Sequence, residues 1–180
     1  GRLSIPFYPF EDVIPEKVAK RRYVSQRVGM NIEVLYAAAE NELAGAEPEQ
    51  YKIFLLCVAA ALRRKEVDWL KWEHLDFGSN RINVQSTEYS QLKTHESEDY
   101  VNIPSFIMKV FKSFKQSSKS EFVVESKRKA RTPKEPSDYR CSASFRKLNK
   151  WLRSQGITSQ KPIHTLRQEA VSLVAEKDGI

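Results

Sequence analysis

The chain has 180 residues, a length that suits one domain with a hydrophobic core and is too short for two. A hydrophobic fraction of 41% predicts a folded protein and excludes an intrinsically disordered one. The formal net charge of +7 favours a polyanionic partner, with nucleic acid ahead of an anionic membrane surface. No apolar run reaches the roughly 18 residues of a membrane span, so a membrane protein is excluded.

The first part of the chain predicts an arm followed by three helices. Residues 1–31 contain three prolines and a basic KRR motif, which predict an N-terminal arm or linker. Such an opening is expected if another domain precedes it or if Gly1 is left over from a tag. Helical patterns follow over residues 32–45, 47–64 and 65–75. The second of these is apolar on nearly every side, which predicts a helix at the centre of its domain.

The pattern then alternates between apolar and polar residues. Residues 81–87 (RINVQST) and 99–104 (DYVNIP) are rich in β-branched residues and predict strands. The polar stretch between them predicts a hairpin with room for a short middle strand. Helical patterns return over residues 105–118 and 141–156 and after Pro162. The predicted fold is α+β and mainly α-helical, with a small antiparallel sheet of two or three strands.

Positive charge is concentrated in one part of the sequence. From Lys112 to Arg153 there are 13 lysines and arginines against four acids. Such a local excess indicates a surface that faces a polyanion. Within it, residues 125–140 lack bulky aliphatic residues and predict a surface loop. The candidate phosphate contacts, including one arginine from an earlier helix end, are Lys127, Arg128, Lys129, Arg131 and Arg64.

Two basic residues open the last predicted helix. His164 and Arg167 lie three residues apart just after Pro162, so they lie on neighbouring parts of one helix face. Cations at this end oppose the helix dipole unless an anion binds there, and helix N-termini suit phosphates. The alternative is a His–Arg pair on a solvated face.

Two further cations are candidates for the same chemistry. Arg63 directly follows the apolar helix, so we expect its guanidinium to lie near the core and to need a partner, for which Glu66 is available. The alternative is that Arg63 only caps the helix C-terminus. Lys93 lies in the predicted hairpin, where a lysine ordinarily serves solubility but also offers a mobile ammonium group.

The cysteines predict neither a metal site nor a disulfide framework. There are two, Cys57 and Cys141, and their spacing is typical of neither. Cys57 lies in an apolar run and is predicted to be a core thiol. We therefore expect a reduced, cytoplasmic protein.

The order of these features resembles the catalytic domain of the tyrosine recombinase (phage integrase) family. The segment ALRRKEVDWLKWEHLDF resembles its first box, with Ala61 where the family usually has glycine. QLKTHESEDYVNIP resembles its lysine hairpin, and IHTLRQEAVSLVAEKDGI resembles the start of its second box. Gln168 stands where many members have histidine or lysine. The resemblance covers residues 32–180, which are identified as one catalytic domain that lacks its C-terminal part.

The resemblance implies a mechanism. A tyrosine attacks a DNA phosphodiester, forms a 3′-phosphotyrosyl link and frees a 5′-hydroxyl, and strand exchange reverses this step without a metal or other cofactor. Arg63 and Arg167 would hold the non-bridging oxygens, Lys93 would protonate the leaving 5′ oxygen, and His164 would assist proton transfer or orient the phosphate. The expected partners are double-stranded DNA and, for the full-length parent, further recombinase protomers in a tetramer on two duplexes.

The tyrosine nucleophile is missing from its expected place. None of the seven tyrosines follows His164, and Tyr139, in the basic loop, does not match the family position. We therefore expect a chain that is truncated before the nucleophile, binds DNA as a monomer and does not cleave it. One alternative is a non-catalytic DNA-binding module that keeps the fold. Another is a basic scaffold or RNA-binding protein in which the four candidate residues do not converge.

Overall fold

The computed structural model describes residues 31–85, 99–135 and 138–177, with side chains described as far as residue 171. Within these ranges the chain forms six α-helices, one short 3-10 helix and a three-stranded antiparallel sheet. The helices are α1 Ile32–Glu42, α2 Pro48–Ala59, α3 Arg64–Trp69, α4 Ser105–Ser117, α5 Ser142–Ser154 and α6 Pro162–Lys177. The strands are β1 Leu75–Asp76, β2 Arg81–Val84 and β3 Asp99–Asn102. The predicted α+β, mainly helical fold class is confirmed.

Helix α2 lies at the centre of the domain, as its sequence predicts. Pro48 occupies the first turn, where its missing N–H costs nothing, and every residue from Gln50 to Ala59 is buried. The helix packs against α1, α3, α4, α5 and α6. Burying a side chain such as Phe54 stabilises the fold by roughly 1.5–3 kcal/mol.

The end of α2 differs from the prediction that the helix extends to residue 64. It ends at Ala59, and Ala61 adopts a left-handed conformation with a φ of 48°. The N–H of Leu62 then donates to the carbonyl of Leu56 at 3.3 Å, which folds the chain back over the helix end. Helical periodicity could not reveal this turn, because alanine is a strong helix former and seldom adopts a left-handed conformation.

The predicted helix over residues 65–75 is also wrong beyond Trp69. There the backbone pairs with the segment that follows α4: the N–H of Trp72 donates to the carbonyl of Glu121 at 3.0 Å, and Val123 donates to Leu70 at 2.9 Å. These bonds hold the chain extended, and it continues through a 3-10 helix at Trp72–His74 into β1. The competing backbone pairing therefore outweighs the local helical pattern.

The sheet has the order β1-β2-β3. In the first pair Leu75 lies opposite Ile82, and in the second Val84 lies opposite Asp99. The two predicted strands correspond to β2 and β3. The sheet gains a further strand, β1, which precedes β2 in the chain. The predicted middle strand would fall within residues 86–98, outside the described residues. The predicted arm lies outside them as well, except for Asn31, whose side chain caps α1.

The amphipathic helices α4 and α5 form where the sequence predicts them. Each buries a narrow apolar stripe, formed in α5 by Phe145, Leu148 and Leu152. Gly156 ends α5 with a φ of 91°, the left-handed conformation that glycine adopts without strain. No helix in the described part of the chain combines the length and the apolar character needed to cross a membrane.

Candidate functional site

Arg167 joins the last helix to the turn that ends α2. Its Nε–H donates to the backbone carbonyl of Ala61. The neighbouring Leu166 is fully buried and fixes this face of α6 against the core. Arg167 itself is partly buried, and its guanidinium therefore has a fixed position beside the segment that carries Arg63.

The charges around Arg167 favour an anion. Burial is the main cause that lowers its pKa, and the positive charge of Arg63 lowers it further, while Glu66 opposes the shift. Arginine stays protonated in spite of such a shift, because its ordinary pKa is so high. Two guanidinium groups from distant segments thus lie close enough to repel each other, and a bound phosphate would relieve that repulsion.

Arg63 is more exposed than its sequence context predicts. Its side chain is 68% exposed, so the expectation of a guanidinium near the core is wrong. The reason is that Arg63 precedes α3 as its N-cap residue instead of ending α2. Glu66 is its partner: the carboxylate accepts the Arg63 N–H at 2.6 Å and its Nη1 at 2.9 Å. This pairing holds the guanidinium while leaving it open to solvent.

His164 is exposed in the first turn of α6. The pKa of His164 is nevertheless lowered below the ordinary 6.5. The main cause is partial burial of the ring, and the positive charges of Arg167 and Lys161 lower the pKa further. The imidazole is therefore neutral at pH 7 and able both to donate and to accept a proton. At the start of the helix, the N–H of Ile163 donates to the Asn149 side chain at 3.3 Å.

The structure thus brings three of the four predicted catalytic residues to one region. Arg63 reaches it from the start of α3, and His164 and Arg167 reach it from α6. Lys93 lies outside the described residues. The described His, Cys, Asp and Glu side chains include no group of three that could hold a metal ion.

Arg64 points into the protein, unlike its neighbour Arg63. Its guanidinium carbon lies 4.4 Å from the ring centroid of Tyr139 and 4.8 Å from that of Phe145. These are cation–π distances. Its Nε is buried and has no hydrogen-bond partner among the described residues. The contacts of Arg64 are therefore those of a packing residue.

The four basic candidates in the loop fall into two pairs. Arg128 and Arg131 both bind the carboxylate of Asp138, at 2.8 Å and 3.2 Å. The hydrogen bond from Arg128 is the main cause that lowers the pKa of Asp138. Lys127 and Lys129 are exposed. The loop is a surface segment, as predicted.

Comparison with known protein families shows which family the chain belongs to. A model of the phage integrase family matches residues 29–178. The chain belongs to the phage integrase family. The reading as an unrelated basic scaffold or RNA-binding protein is wrong.

Solved structures with the same fold include recombinases and integrases. The crystal structure of XerA recombinase matches with a TM-score of 0.58 and 18% identity, over 82% of this chain and 49% of that one. The Tn1549 transposon integrase with circular intermediate DNA gives 0.53 and 15%, over 81% and 53%. Its complex with transposon right end DNA gives 0.52 and 15%, over 81% and 51%. The chain thus spans about half the length of these structures. Among curated proteins, none matches.

In this integrase-family chain, sequence reasoning missed a buried pair that anchors the basic loop. The carboxylate of Asp68, in α3, accepts the backbone N–H groups of Arg140 and Cys141 at 2.7 Å and 2.6 Å. Nη2 of Arg140 donates to the carbonyls of Asp68 and Val124 at 2.9 Å and 2.6 Å. The available signal was an acid directly between the apolar residues Val67 and Trp69. The pair fixes the loop against α3, the helix that Arg63 precedes.

Proposed function

We propose that this chain binds double-stranded DNA as part of a tyrosine recombinase and holds the reacting phosphodiester between Arg63 and Arg167. The observation that carries the proposal is the bond from Arg167 to the carbonyl of Ala61. This bond holds the arginine of the second family box against the turn that leads to the arginine of the first, which supports the proposal.

Each candidate residue has a distinct role in the proposed reaction. The two guanidinium groups bind the non-bridging oxygens and stabilise the charge that grows on them in the transition state. His164, neutral at pH 7, orients the phosphate or transfers a proton. Lys93 protonates the leaving 5′ oxygen, and a tyrosine forms the 3′-phosphotyrosyl link. The covalent link conserves the energy of the phosphodiester bond, so the reaction needs no high-energy cofactor.

The polypeptide of residues 1–180 is expected to bind DNA without cutting it. Its sequence has no tyrosine after His164, and nucleophilic catalysis needs the nucleophile. We propose a monomer in isolation and a tetramer of full-length protomers on two duplexes. We propose the cytoplasm as its location, where free thiols such as those of Cys57 and Cys141 persist.

Fluorescence anisotropy with a labelled DNA duplex tests the phosphate site. Arg63→Ala and Arg167→Ala should each weaken binding about tenfold, because hydrogen bonds to charged groups are among the stronger ones. Lys109→Ala, which removes one exposed charge from α4, is the matched control and should change affinity less than about twofold. Absence of DNA binding at low salt, or equal effects of all three variants, would contradict the proposal.

A second measurement separates the two candidate functions. The chain is mixed with a nicked duplex, and covalent adducts are sought on a denaturing gel. No adduct is expected from residues 1–180. An adduct that disappears in Tyr139→Phe would show that this chain carries its own nucleophile. For a longer protein with a tyrosine in the family position, an adduct indicates the recombinase and its absence the binding module.

A further inference from the structure

We propose that the basic loop contains a second phosphate-binding site, in which the Asp138 carboxylate occupies the position that a DNA backbone phosphate takes in the complex. The site is separate from Arg63 and Arg167. This inference rests on the proposed function, because DNA is taken as the source of the phosphate.

The Asp138 carboxylate is held as a phosphate would be. One oxygen accepts Nη2 of Arg128 at 2.8 Å, and the other accepts Nη2 of Arg131 at 3.2 Å and the N–H of Lys134 at 3.4 Å. Two guanidinium groups and a backbone N–H around one anion form a donor set that also suits a phosphodiester. A phosphodiester matches the carboxylate in charge and in its pair of free oxygens.

The two arginines remain accessible while they hold the carboxylate. The side chains of Arg128 and Arg131 are 45% and 52% exposed, whereas Asp138 is only 18% exposed. A duplex can therefore approach the donors from solvent. Exchange of one anion for the other leaves both guanidinium groups paired, and the displaced carboxylate turns out into water.

A hollow beside this cluster carries an unbalanced positive charge. The hollow opens to solvent, and its roughly 190 Å³ of non-atom space includes part of that solvent. The hollow is lined by Trp69, Arg128, Lys129, Arg131, Asp138 and Arg140. Arg128, Lys129 and Arg131 thus accompany the Asp138 carboxylate, while the charge of Arg140 is met by the buried carboxylate of Asp68. The lining therefore keeps an excess of positive charge.

Arg140 forms part of the wall of this hollow. The residue is only 5% exposed, and its guanidinium carbon lies 4.0 Å from the ring centroid of Phe122. Its Nη2 donates to the carbonyls of Asp68 and Val124, so the guanidinium has a fixed position. Arg140 therefore holds the wall in place, while Arg128 and Arg131 supply the accessible donors.

The loop is connected to the first phosphate site through packed side chains. Nη1 of Arg128 donates to the carbonyl of Tyr139 at 2.8 Å. The ring of Tyr139 packs on Arg64, the residue next to Arg63. These contacts hold the two proposed phosphate sites in a fixed relative position.

Asp138→Asn tests the site, because asparagine keeps the shape and removes the competing charge. We expect it to raise affinity for a labelled duplex about tenfold, in line with the strength of hydrogen bonds to charged groups. Glu135→Gln is the matched control: it removes one exposed acid of the same loop whose side chain forms no hydrogen bond or ion pair with the site residues in the described structure. Equal effects of the two variants would overturn the second site.

A second pair of variants covers the case in which Asp138→Asn does not fold. Arg131→Ala should weaken duplex binding more than Lys134→Ala, because each removes one positive charge but only the Arg131 side chain holds the anion. Equal losses would count against the site.

A third measurement uses inorganic phosphate in place of DNA. At constant ionic strength, phosphate should raise the melting temperature of Asp138→Asn more than that of Glu135→Gln. If the chain binds no DNA but phosphate stabilises Asp138→Asn selectively, the proposed function fails and the anion site stands. If DNA binding depends on Arg63 and Arg167 while Asp138→Asn and Glu135→Gln behave alike in every assay, only the second site fails.

Discussion

Arg167 donates its Nε–H to the carbonyl oxygen of Ala61, and this bond joins α6 to the left-handed turn that ends α2. The turn ends α2, so Arg63 precedes α3 as its N-cap residue and has an exposed guanidinium. The conformation of one alanine therefore sets the relative positions of the two arginines.

Ala61→Gly should stabilise the protein. A left-handed conformation costs an L-residue roughly 1–2 kcal/mol, whereas glycine adopts it freely. Glycine also gives the unfolded chain more freedom, so the net gain in the free energy of unfolding should be about 0.5–1 kcal/mol. Urea denaturation measures it. Ala60→Gly is the control, since its φ of −114° brings no such relief, and it should destabilise. A loss of stability in Ala61→Gly would show that the turn is not strained.

Arg64→Met should affect stability more than DNA binding. The substitution keeps apolar bulk but removes the cation–π contacts with Tyr139 and Phe145, at a cost of about 1 kcal/mol. Duplex affinity of the folded variant should fall less than about twofold, in contrast with Arg63→Ala. Urea denaturation and anisotropy on the same samples measure both effects. A large loss of affinity with unchanged stability would instead make Arg64 a direct phosphate contact.

His164 should make DNA binding depend on pH. The pKa of His164 lies below the ordinary 6.5, so the ring becomes positively charged only when the pH falls through this lowered pKa. Duplex affinity should then increase, because the added positive charge attracts the phosphate. Stability should change in the opposite direction. The unfolded chain binds the proton more readily, so the free energy of unfolding decreases as the pH falls through the same window.

The pH dependence can be assigned with two matched variants. His164→Gln should abolish the part of the affinity increase that comes from this ring, whereas His74→Gln, which changes a buried histidine of lowered pKa, should leave the increase in place. Anisotropy titrations across pH 6.5 compare the two. An unchanged profile in His164→Gln would remove this residue from the phosphate site.

Asp68→Asn should destabilise the protein by about 3 kcal/mol at neutral pH, because asparagine offers one acceptor oxygen to two buried backbone N–H groups.

Burial raises the pKa of Asp68 above 3.8, against the effect of these hydrogen bonds. The folded state therefore binds the proton more readily, and this group makes stability fall as the pH rises through the window above 3.8. Urea denaturation at several pH values should show that slope in the wild type only. Parallel curves for the two proteins would contradict the assignment.

Most of the helices could be predicted from the sequence, because an amphipathic helix produces a periodic pattern of apolar residues in its own segment. The apolar run around Phe54 predicted the central helix, and Gly156 predicted the end of α5. The end of α2 could not be predicted, since Ala61 is not the residue expected in a left-handed turn. The extended conformation after Trp69 could not be predicted for another reason. Its hydrogen-bond partners, Glu121 and Val123, lie some 50 residues away in the sequence.

By itself, the sequence determined the order of the family boxes, the helical architecture and the candidates Arg63, Lys93, His164 and Arg167. Only the tertiary structure decided that Arg167 contacts Ala61, that Arg63 is exposed and paired with Glu66, and that Asp68 binds the backbone at Arg140. The physical reason is the sequence distance over which each kind of interaction acts. Periodicity and turn chemistry act between near neighbours in the chain, whereas these contacts form only after packing of the core has brought distant segments together.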